Sequence, residues 1–424
     1  MTEREPLSTD PYKGVRDFYP EDWATLTNAF EIIRERLALW GYEEYAASPL
    51  ERAELYESKT SEEIVNEQTY TFEDRGGRRV TLRPEMTPTL ARMVAAKRRE
   101  LTLPLRWFSI PNAFRYERPQ RGRLREHYQL NVDLVGLPEG EADIEIVHIA
   151  SSVLKAFGAS PEHFTIRLNS RRLLDAACKA SGLDTEQSRN YLRLLDKKDK
   201  MDEVTFTEKA AAITPNNPLT LIEKEDASVA EPLAAVTGMI KALEARGVPN
   251  VVFDPTITRG FDYYTGTIFE VYDASSENTR ALFGGGRYDG LVAAFGGDPI
   301  PAIGFGMGDV TLMDFLETHA LMPRRSHAPT LYVGTPTPED VPAAQLFARD
   351  LRTRGVRVFV NLTQKPLGDQ VKDADRRRIP HFVAYGAEEA GSGILKVKTL
   401  ATGSVSEVAL TEIAAHLSGT GEIA

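Results

Sequence analysis

The clearest periodicity in the chain lies between Asp22 and Trp40, where Leu26, Phe30, Ile33, Leu37 and Trp40 recur at three- and four-residue steps. This spacing predicts an amphipathic helix, with Gly41 as its C-terminal stop. Extended sequence follows as far as Ser48-Pro49-Leu50, where proline drives the residue before it out of helical geometry. From 105 to 136 the pattern becomes that of strands: LRWFSIPNAFRYE and HYQLNVDLVG predict the arms of a long antiparallel hairpin. Their connection, RPQRGRLRE, is longer and more charged than a turn requires. On the second arm Tyr128, Leu130, Val132 and Leu134 share one face, and Gln129, Asn131 and Asp133 share the other. A polar face of amides and a carboxylate, rather than Lys and Glu, suits a binding surface.

Between about 170 and 250 the segments LLDAACKA, RNYLRLLDKKDKMDEV and EPLAAVTGMIKALEARG read as helices broken by the ITPNNP loop. Strand-like sequence resumes in VVFDPTITRGFDYYTGTIFEVYD and passes through the glycine-rich FGGGRYDGLVAAFGG. It then reaches AIGFGMGDVTLMDFLETHAL, a strand turning into a helix. After PRRSHAPT, strands TLYVG, VRVFV and HFVAYG alternate with helices VPAAQLFARDLRTRG and LGDQVKDADRRR, followed by LKVKTL and a last helix near VALTEIAAHL. That alternation predicts a small three-layer α/β domain.

At 424 residues the chain has room for two or three domains of about 150 residues each. Its composition, 42% hydrophobic and 27% charged, is that of a soluble globular protein. The single Cys178 forms no internal bridge and no Cys-rich zinc site. No stretch approaches the ~18 apolar residues of a membrane span, and MTEREPLSTDPYKG lacks the apolar core of a signal peptide, so the cytoplasm is the expected compartment. A net charge of −11 argues against indiscriminate coating of nucleic acid but leaves room for local basic patches.

One such patch is Arg115, Arg118, Arg121, Arg123 and Arg125, set against only Glu117 and Glu126. A guanidinium offers a planar fork of donors matched to phosphate oxygens. A run of this kind is otherwise an ordinary solvated loop. TRGFDYYTG places Arg259 beside Gly260 and before the pair Tyr263 and Tyr264; GGGRYDG sets three glycines ahead of Tyr288; LRPEMTPT puts Glu85 and Thr87 just past Pro84. Each alone also reads as core-edge packing, a tight turn or a helix cap. Glu145 and His148 have the i, i+3 spacing of half a metal site, but no second such motif exists, which assigns them to an ordinary helix. No GxxxxGK[ST] phosphate loop, no GxGxxG turn and no HExxH zinc helix occurs.

Taken in order, PYKGVRDFYP, TLRPEMTPT, FRYERPQRGRLREHYQLNVDLVG, TRGFDYYTGTIFEVY and GGGRYDGLVAAFGG resemble the histidyl-tRNA synthetase family, a class II aminoacyl-tRNA synthetase family. The resemblance runs from about Tyr12 to the C-terminus. It implies an α+β fold with an antiparallel-sheet catalytic core in two parts (1–168 and 251–325), a helical insertion domain (169–250) and an α/β anticodon-binding domain (326–424). It also implies a homodimer, with LALWGYEEYAASPLER as the dimer-forming motif marked by Pro49. The implied activity joins histidine to ATP as histidyl-adenylate, with Mg²⁺ on the phosphates, and then passes histidine to its tRNA.

By the same resemblance Arg115 and Arg259 act as catalytic cations on the α-phosphate. Glu85, Thr87, Gln129, Asp133, Tyr263, Tyr264 and Tyr288 surround the histidine, and Arg115, Arg123 and His127 bind ATP. Imidazole carries one donor and one acceptor, which acidic and phenolic partners satisfy and apolar ones do not. The resemblance identifies no metal ligand. One departure stands out: where the third motif ends in an Arg for the γ-phosphate, the chain reads Gly308-Asp309-Val310-Thr311, leaving another Arg, such as Arg121 or Arg123, to compensate or ATP to bind differently. A non-catalytic relative, the regulatory subunit of ATP phosphoribosyltransferase, is the alternative that this departure favours.

Overall fold

The structure, a computed structural model, describes residues 7–57, 68–120, 122–259, 263–278, 280–323 and 328–419. The chain divides into two compact units, Met1–Pro323 and Arg324–Ala424. In the first unit the strands are β1 (Glu43–Glu44), β2 (Leu50–Arg52), β3 (Tyr70–Glu73), β4 (Arg79–Leu82), β5 (Leu105–Ser109), β6 (Asn112–Phe114), β7 (Glu126–Val135), β8 (Phe164–Ser170), β9 (Val251–Phe253), β10 (Thr267–Asp273), β11 (Ala281–Arg287) and β12 (Ala302–Gly308). Nine of them form one sheet in the order β1-β5-β7-β12-β11-β10-β8-β9, with β6 also pairing with β7; β2, β4 and β3 form a small separate sheet. The large sheet is antiparallel except at its two edges, where β1 runs parallel to β5 and β9 to β8.

The first helix, Pro20–Leu39, buries Leu26, Ala29, Phe30, Ile33 and Leu37, the stripe that its spacing predicts. It packs beside the helix Glu141–Ala156 in a core that includes Leu130, Val132 and Leu134 of β7. The first hairpin arm is two strands rather than one, because the chain breaks between Ser109 and Asn112, at Ile110-Pro111; both parts pair with β7. The segment 171–245 is helical, in Arg171–Ala180, Thr185–Leu195, Glu203–Ile213, Pro218–Glu223 and Ala230–Ala245. Its Leu173, Tyr191, Phe206 and Leu243 belong to the same buried cluster as the sheet residues Phe164 and Ile268. Glu145 holds Arg106 through two bonds of 2.8 and 2.9 Å, and His148 meets the ring of Trp40 edge-on at 4.9 Å.

The most consequential packing feature is Arg287 at the end of β11. Its guanidinium is fully buried, makes two bonds to Asp143 Oδ1 and Oδ2 at 3.0 and 2.6 Å, and also reaches Asp289 and the carbonyls of Leu137 and Pro138. A fork–fork pair of this kind fixes where the glycine-rich strand ends.

The second unit has strands β13 (Leu331–Gly334), β14 (Val358–Val360), β15 (His381–Ala384), β16 (Ile394–Thr399) and β17 (Val405–Ala409) in the order β14-β13-β15-β16-β17. The first three are parallel and the last two antiparallel. Helices Val341–Thr353 and Leu367–Arg376 follow the alternation in the sequence. VSEVA is a strand missing from the expected pattern: three of its five residues are exposed, so the apolar signal is too short to register.

Replacing Arg287 by Met leaves Asp143, 1% exposed, as a buried carboxylate without its cation. The expected loss of stability is about 3–5 kcal/mol by chemical denaturation. A loss below about 1 kcal/mol would show that the pair does not anchor β11.

Candidate functional site

Three adjacent strands build the site. On β7 the polar face carries Gln129, Asn131 and Asp133; β12 lies beside it with Gly304 opposite Asp133 and Gly306 opposite Asn131; β11 follows with Gly284, Gly285 and Gly286. The glycines of β11 therefore sit in the centre of a sheet rather than in a turn. A Cβ at Gly304 would collide with the Asp133 carboxyl and the Val132 carbonyl, and one at Gly284 with the guanidinium of Arg259. A Cβ at Gly286 would come within 2.7 Å of the Tyr264 ring, and one at Gly306 within 3.2 Å of the Gln129 amide. Side chains are missing from the strand so that polar groups from elsewhere can lie flat on it.

A cavity of about 110 Å³ opens on this floor, lined by Glu85, Thr87, Arg115, Gln129, Asn131, Asp133, Arg259, Tyr263, Tyr264 and Tyr288 among others. All seven residues expected around histidine and both expected catalytic arginines thus meet in one place. Arg123 and His127 do not line it. Arg123 is half exposed and pairs with Glu117 at 3.2 Å; His127 lies beside Gly308, whose Cβ would stand 3.9 Å from its ring. Arg121 and Gly260 fall outside the described residues.

Each wall is fixed by ordinary local chemistry. Glu85 is 4% exposed, not a solvated carboxylate, and accepts from the Tyr263 hydroxyl at 3.2 Å, while Tyr56 donates to its carbonyl. Thr87 opens the helix Thr87–Ala96, with Pro88 in the first turn, where proline's fixed φ suits a helix start. Arg115 donates from Nε to the carbonyl of Pro84 at 3.0 Å, which ties the charged hairpin to the Glu85 turn. Arg259 holds φ +52°, a left-handed conformation costing a non-glycine residue of order 1 kcal/mol or more. Its Nη1 lies 3.3 Å from Glu270 of β10. Glu270 and the glycines of β12 escaped sequence reasoning; regular Gly alternation inside AIGFGMG is the signal that could have found the latter.

The electrostatics are those of a buried polar site. Asp133 is 3% exposed; burial pushes its carboxyl up to about 7, against the bond from the Tyr288 hydroxyl to Oδ1, which pulls the other way. Burial, with the field of Arg115 and then Arg16, holds His127 down at about 3, so its ring is neutral at physiological pH. Burial and then the Glu85 charge raise the Tyr263 phenol far above its ordinary value, which keeps its proton in place. Asp133 Oδ2 and Arg259 Nε are buried with no hydrogen-bond partner among the described residues. Both belong to residues on the cavity wall, and buried polar atoms left unsatisfied cost free energy unless a ligand or water meets them.

Asp133 yields a pH prediction. Folded, its carboxyl keeps a proton up to about pH 7, whereas an unfolded one loses it near pH 4. The stability it contributes is complete below about pH 4 and is lost as pH rises through about 7. The unfolding free energy of D133N minus that of the unsubstituted protein is expected to rise between about pH 5 and pH 7. A difference that stays flat over that range would contradict burial as the cause.

Comparison with known proteins agrees with this geometry. Residues 14–310 match the family model described as histidyl-tRNA synthetase, and residues 331–420 that of an anticodon-binding domain. A histidine--tRNA ligase of Leptospira biflexa is 39% identical over 414 residues, 94% of each chain. Among solved structures, histidyl-tRNA synthetase from Nostoc sp. PCC 7120 superposes with a TM-score of 0.83 at 22% identity, over 98% of this chain and 100% of that one, a likeness of fold. A structure from Bacillus halodurans, described as an ATP phosphoribosyltransferase regulatory subunit/histidyl-tRNA synthetase, gives 0.70 at 25% identity over 84% and 93%. With a family model matching well over half of its length and a near full-length relative at this identity, the chain belongs to the histidyl-tRNA synthetase family, of class II architecture.

Proposed function

We propose that this chain is a histidine–tRNA ligase, which activates histidine with ATP and transfers it to the 3′ end of its tRNA. The observation that carries the reading is the pairing, on one small cavity, of a buried carboxyl oxygen and a buried guanidinium nitrogen that both lack partners among the described residues. At about 110 Å³ the cavity is well below the roughly 300–1,000 Å³ of pockets for drug-sized ligands, and suits one small polar side chain. Asp133, Glu85 and the phenols Tyr263, Tyr264 and Tyr288 offer an imidazole both acceptors and donors. An apolar side chain there would leave these groups unpaired, which is the stronger form of discrimination. Gln129 and Thr87 hold the backbone end of the amino acid, Thr87 near its ammonium.

Activation is attack by a histidine carboxylate oxygen on the α-phosphorus of ATP; the bond to the β-phosphate oxygen breaks and pyrophosphate leaves. Charge grows on the α-phosphoryl oxygens, and Arg115 from the hairpin and Arg259 from the far side of the cavity stabilise it. A hydroxyl of the tRNA terminal ribose then attacks the carbonyl carbon and AMP leaves. Arg123 and His127 contribute to ATP binding outside the histidine cavity. Neutral His127 supplies a flat ring for the adenine. Among the described residues no three His, Cys, Asp or Glu side chains converge on a metal cage. Mg²⁺ then comes as the partner of the ATP phosphates, and no step here is routed through it.

The second unit contacts the anticodon. A cytoplasmic homodimer completes the reading. The apolar Leu50 on β2 and Phe72 on β3, each about half exposed, support a partner surface near the Pro49 segment. Among the described residues no helix is long and apolar enough to cross a membrane.

Histidine-dependent exchange of pyrophosphate into ATP tests the proposal. The protein should catalyse exchange with histidine and not with other amino acids, and R259A should lose about 10²–10³-fold or more in rate. Histidine binding without exchange would instead indicate the non-catalytic regulatory alternative.

A further inference from the structure

The histidine cavity has no room for a nucleotide, so an ATP with its α-phosphate at Arg115 and Arg259 has to extend beyond it. The neighbouring space is a second cavity of about 330 Å³, lined by Gln120, Gly122, Arg280, Leu282 and Thr311, with Glu277 and Asp314 also on its wall. Gly284 belongs to the first cavity and Ala281 and Leu282 to the second. At ~3.3 Å per residue along β11, the two spaces are neighbours.

The β- and γ-phosphates carry most of the negative charge of ATP and need a cation at their end. Position 311 supplies none. The Thr311 hydroxyl donates to the carbonyls of Leu282 at 2.7 Å and Gly308 at 3.1 Å, and a Cβ on Gly122 would stand 3.6 Å from its methyl. Gly122 of the charged hairpin loop thus lies beside Thr311 on the wall of this cavity. Among the described residues two other cations nearby already have a carboxylate partner: Arg123 pairs with Glu117 at 3.2 Å and Arg16 with Asp309 at 2.7 Å. Arg280 differs. It is exposed, its Nη2 donates to the neutral Oε1 of Gln120 at 3.1 Å, and among the described residues no carboxylate lies within ion-pair distance of it. Glu277 repels an anion from its part of the wall, which favours the edge formed by Arg280 and Gln120.

We propose that Arg280 binds the β- and γ-phosphates of ATP, supplying from the turn before β11 the guanidinium that position 311 lacks. The inference rests on the adenylation reading above and names a residue that reading leaves without a role. A guanidinium held against the hairpin through Gln120 also couples the loop that carries Arg115 to the strand that supports Arg259.

Pyrophosphate exchange kinetics test it, because pyrophosphate contains the two phosphates in question and no nucleoside. R280A should raise KM for ATP and KM for pyrophosphate together, each by about 10- to 100-fold, the loss of one or two charge-assisted hydrogen bonds. KM for histidine should not change, and R280K should keep part of the affinity. A rise in KM for ATP with KM for pyrophosphate unchanged would place Arg280 on the nucleoside and overturn the proposal. So would unchanged values for both, or a matching rise in KM for histidine, which would mark a structural role. Absence of exchange in the unsubstituted protein would overturn the adenylation reading itself. Arg280 is on the surface, and a thermal melt of R280A should match that of the parent.

Discussion

The site depends on one steric constraint: beside the polar face of β7, strands β12 and β11 present glycines rather than side chains where the ligand is to lie. Gly284 is replaced in space by the head of Arg259, Gly286 by the ring of Tyr264, and Gly304 by the Asp133 carboxyl. Glycine in a strand interior weakens the strand, so this arrangement is destabilising in isolation. Its return is geometric: a cation and a phenol from the β9–β10 connection and a carboxyl from β7 are brought within reach of one small molecule.

Stability comes from elsewhere in the same unit. Leu130, Val132 and Leu134 of β7 are fully buried in the main apolar core, while Gln129, Asn131 and Asp133 between them face the cavity. The strand is thus split between the two tasks residue by residue. Arg287 performs the matching service for β11: its buried pair with Asp143 fixes the end of a strand that has little packing surface of its own. A buried ion pair adds little net stability compared with apolar packing, but removing one partner is expensive, and so it acts as a register pin. The left-handed Arg259 and the Asp133 Oδ2, which has no partner among the described residues, are then local strain and desolvation held by a core large enough to bear them.

Much of this was legible in the sequence where a pattern has a single physical reading. The helix of Leu26, Phe30, Ile33 and Leu37 and the two-faced strand of HYQLNVDLVG follow from periodicity alone, and the α/β alternation after residue 330 does so except for the strand VSEVA and the short helix Ala387–Ser392. The convergence of Glu85, Arg115, Gln129, Arg259 and Tyr264 did not follow from spacing: these positions span 180 residues, and only resemblance to a family joined them. GGGRYDG is instructive, since three glycines read locally as a turn, and only the flanking strands β10 and β12 make them the floor of a sheet. Arg280 and Glu270 were invisible because nothing in their neighbourhoods distinguishes a ligand-facing charge from a solvated one. His127 and Arg123 carried a motif signal, yet neither lines the glycine-floored cavity.

The central claim is that Arg115 and Arg259 approach the same phosphoryl group from opposite sides of a cavity that holds imidazole against Asp133. A crystal structure with a non-hydrolysable histidyl-adenylate analogue tests it most directly. The account predicts the bridging phosphate mimic between the two guanidinium groups and the imidazole within hydrogen-bonding distance of Asp133 Oδ2. An analogue bound with its phosphate mimic away from Arg259, or with its imidazole outside the glycine-floored cavity, would contradict it.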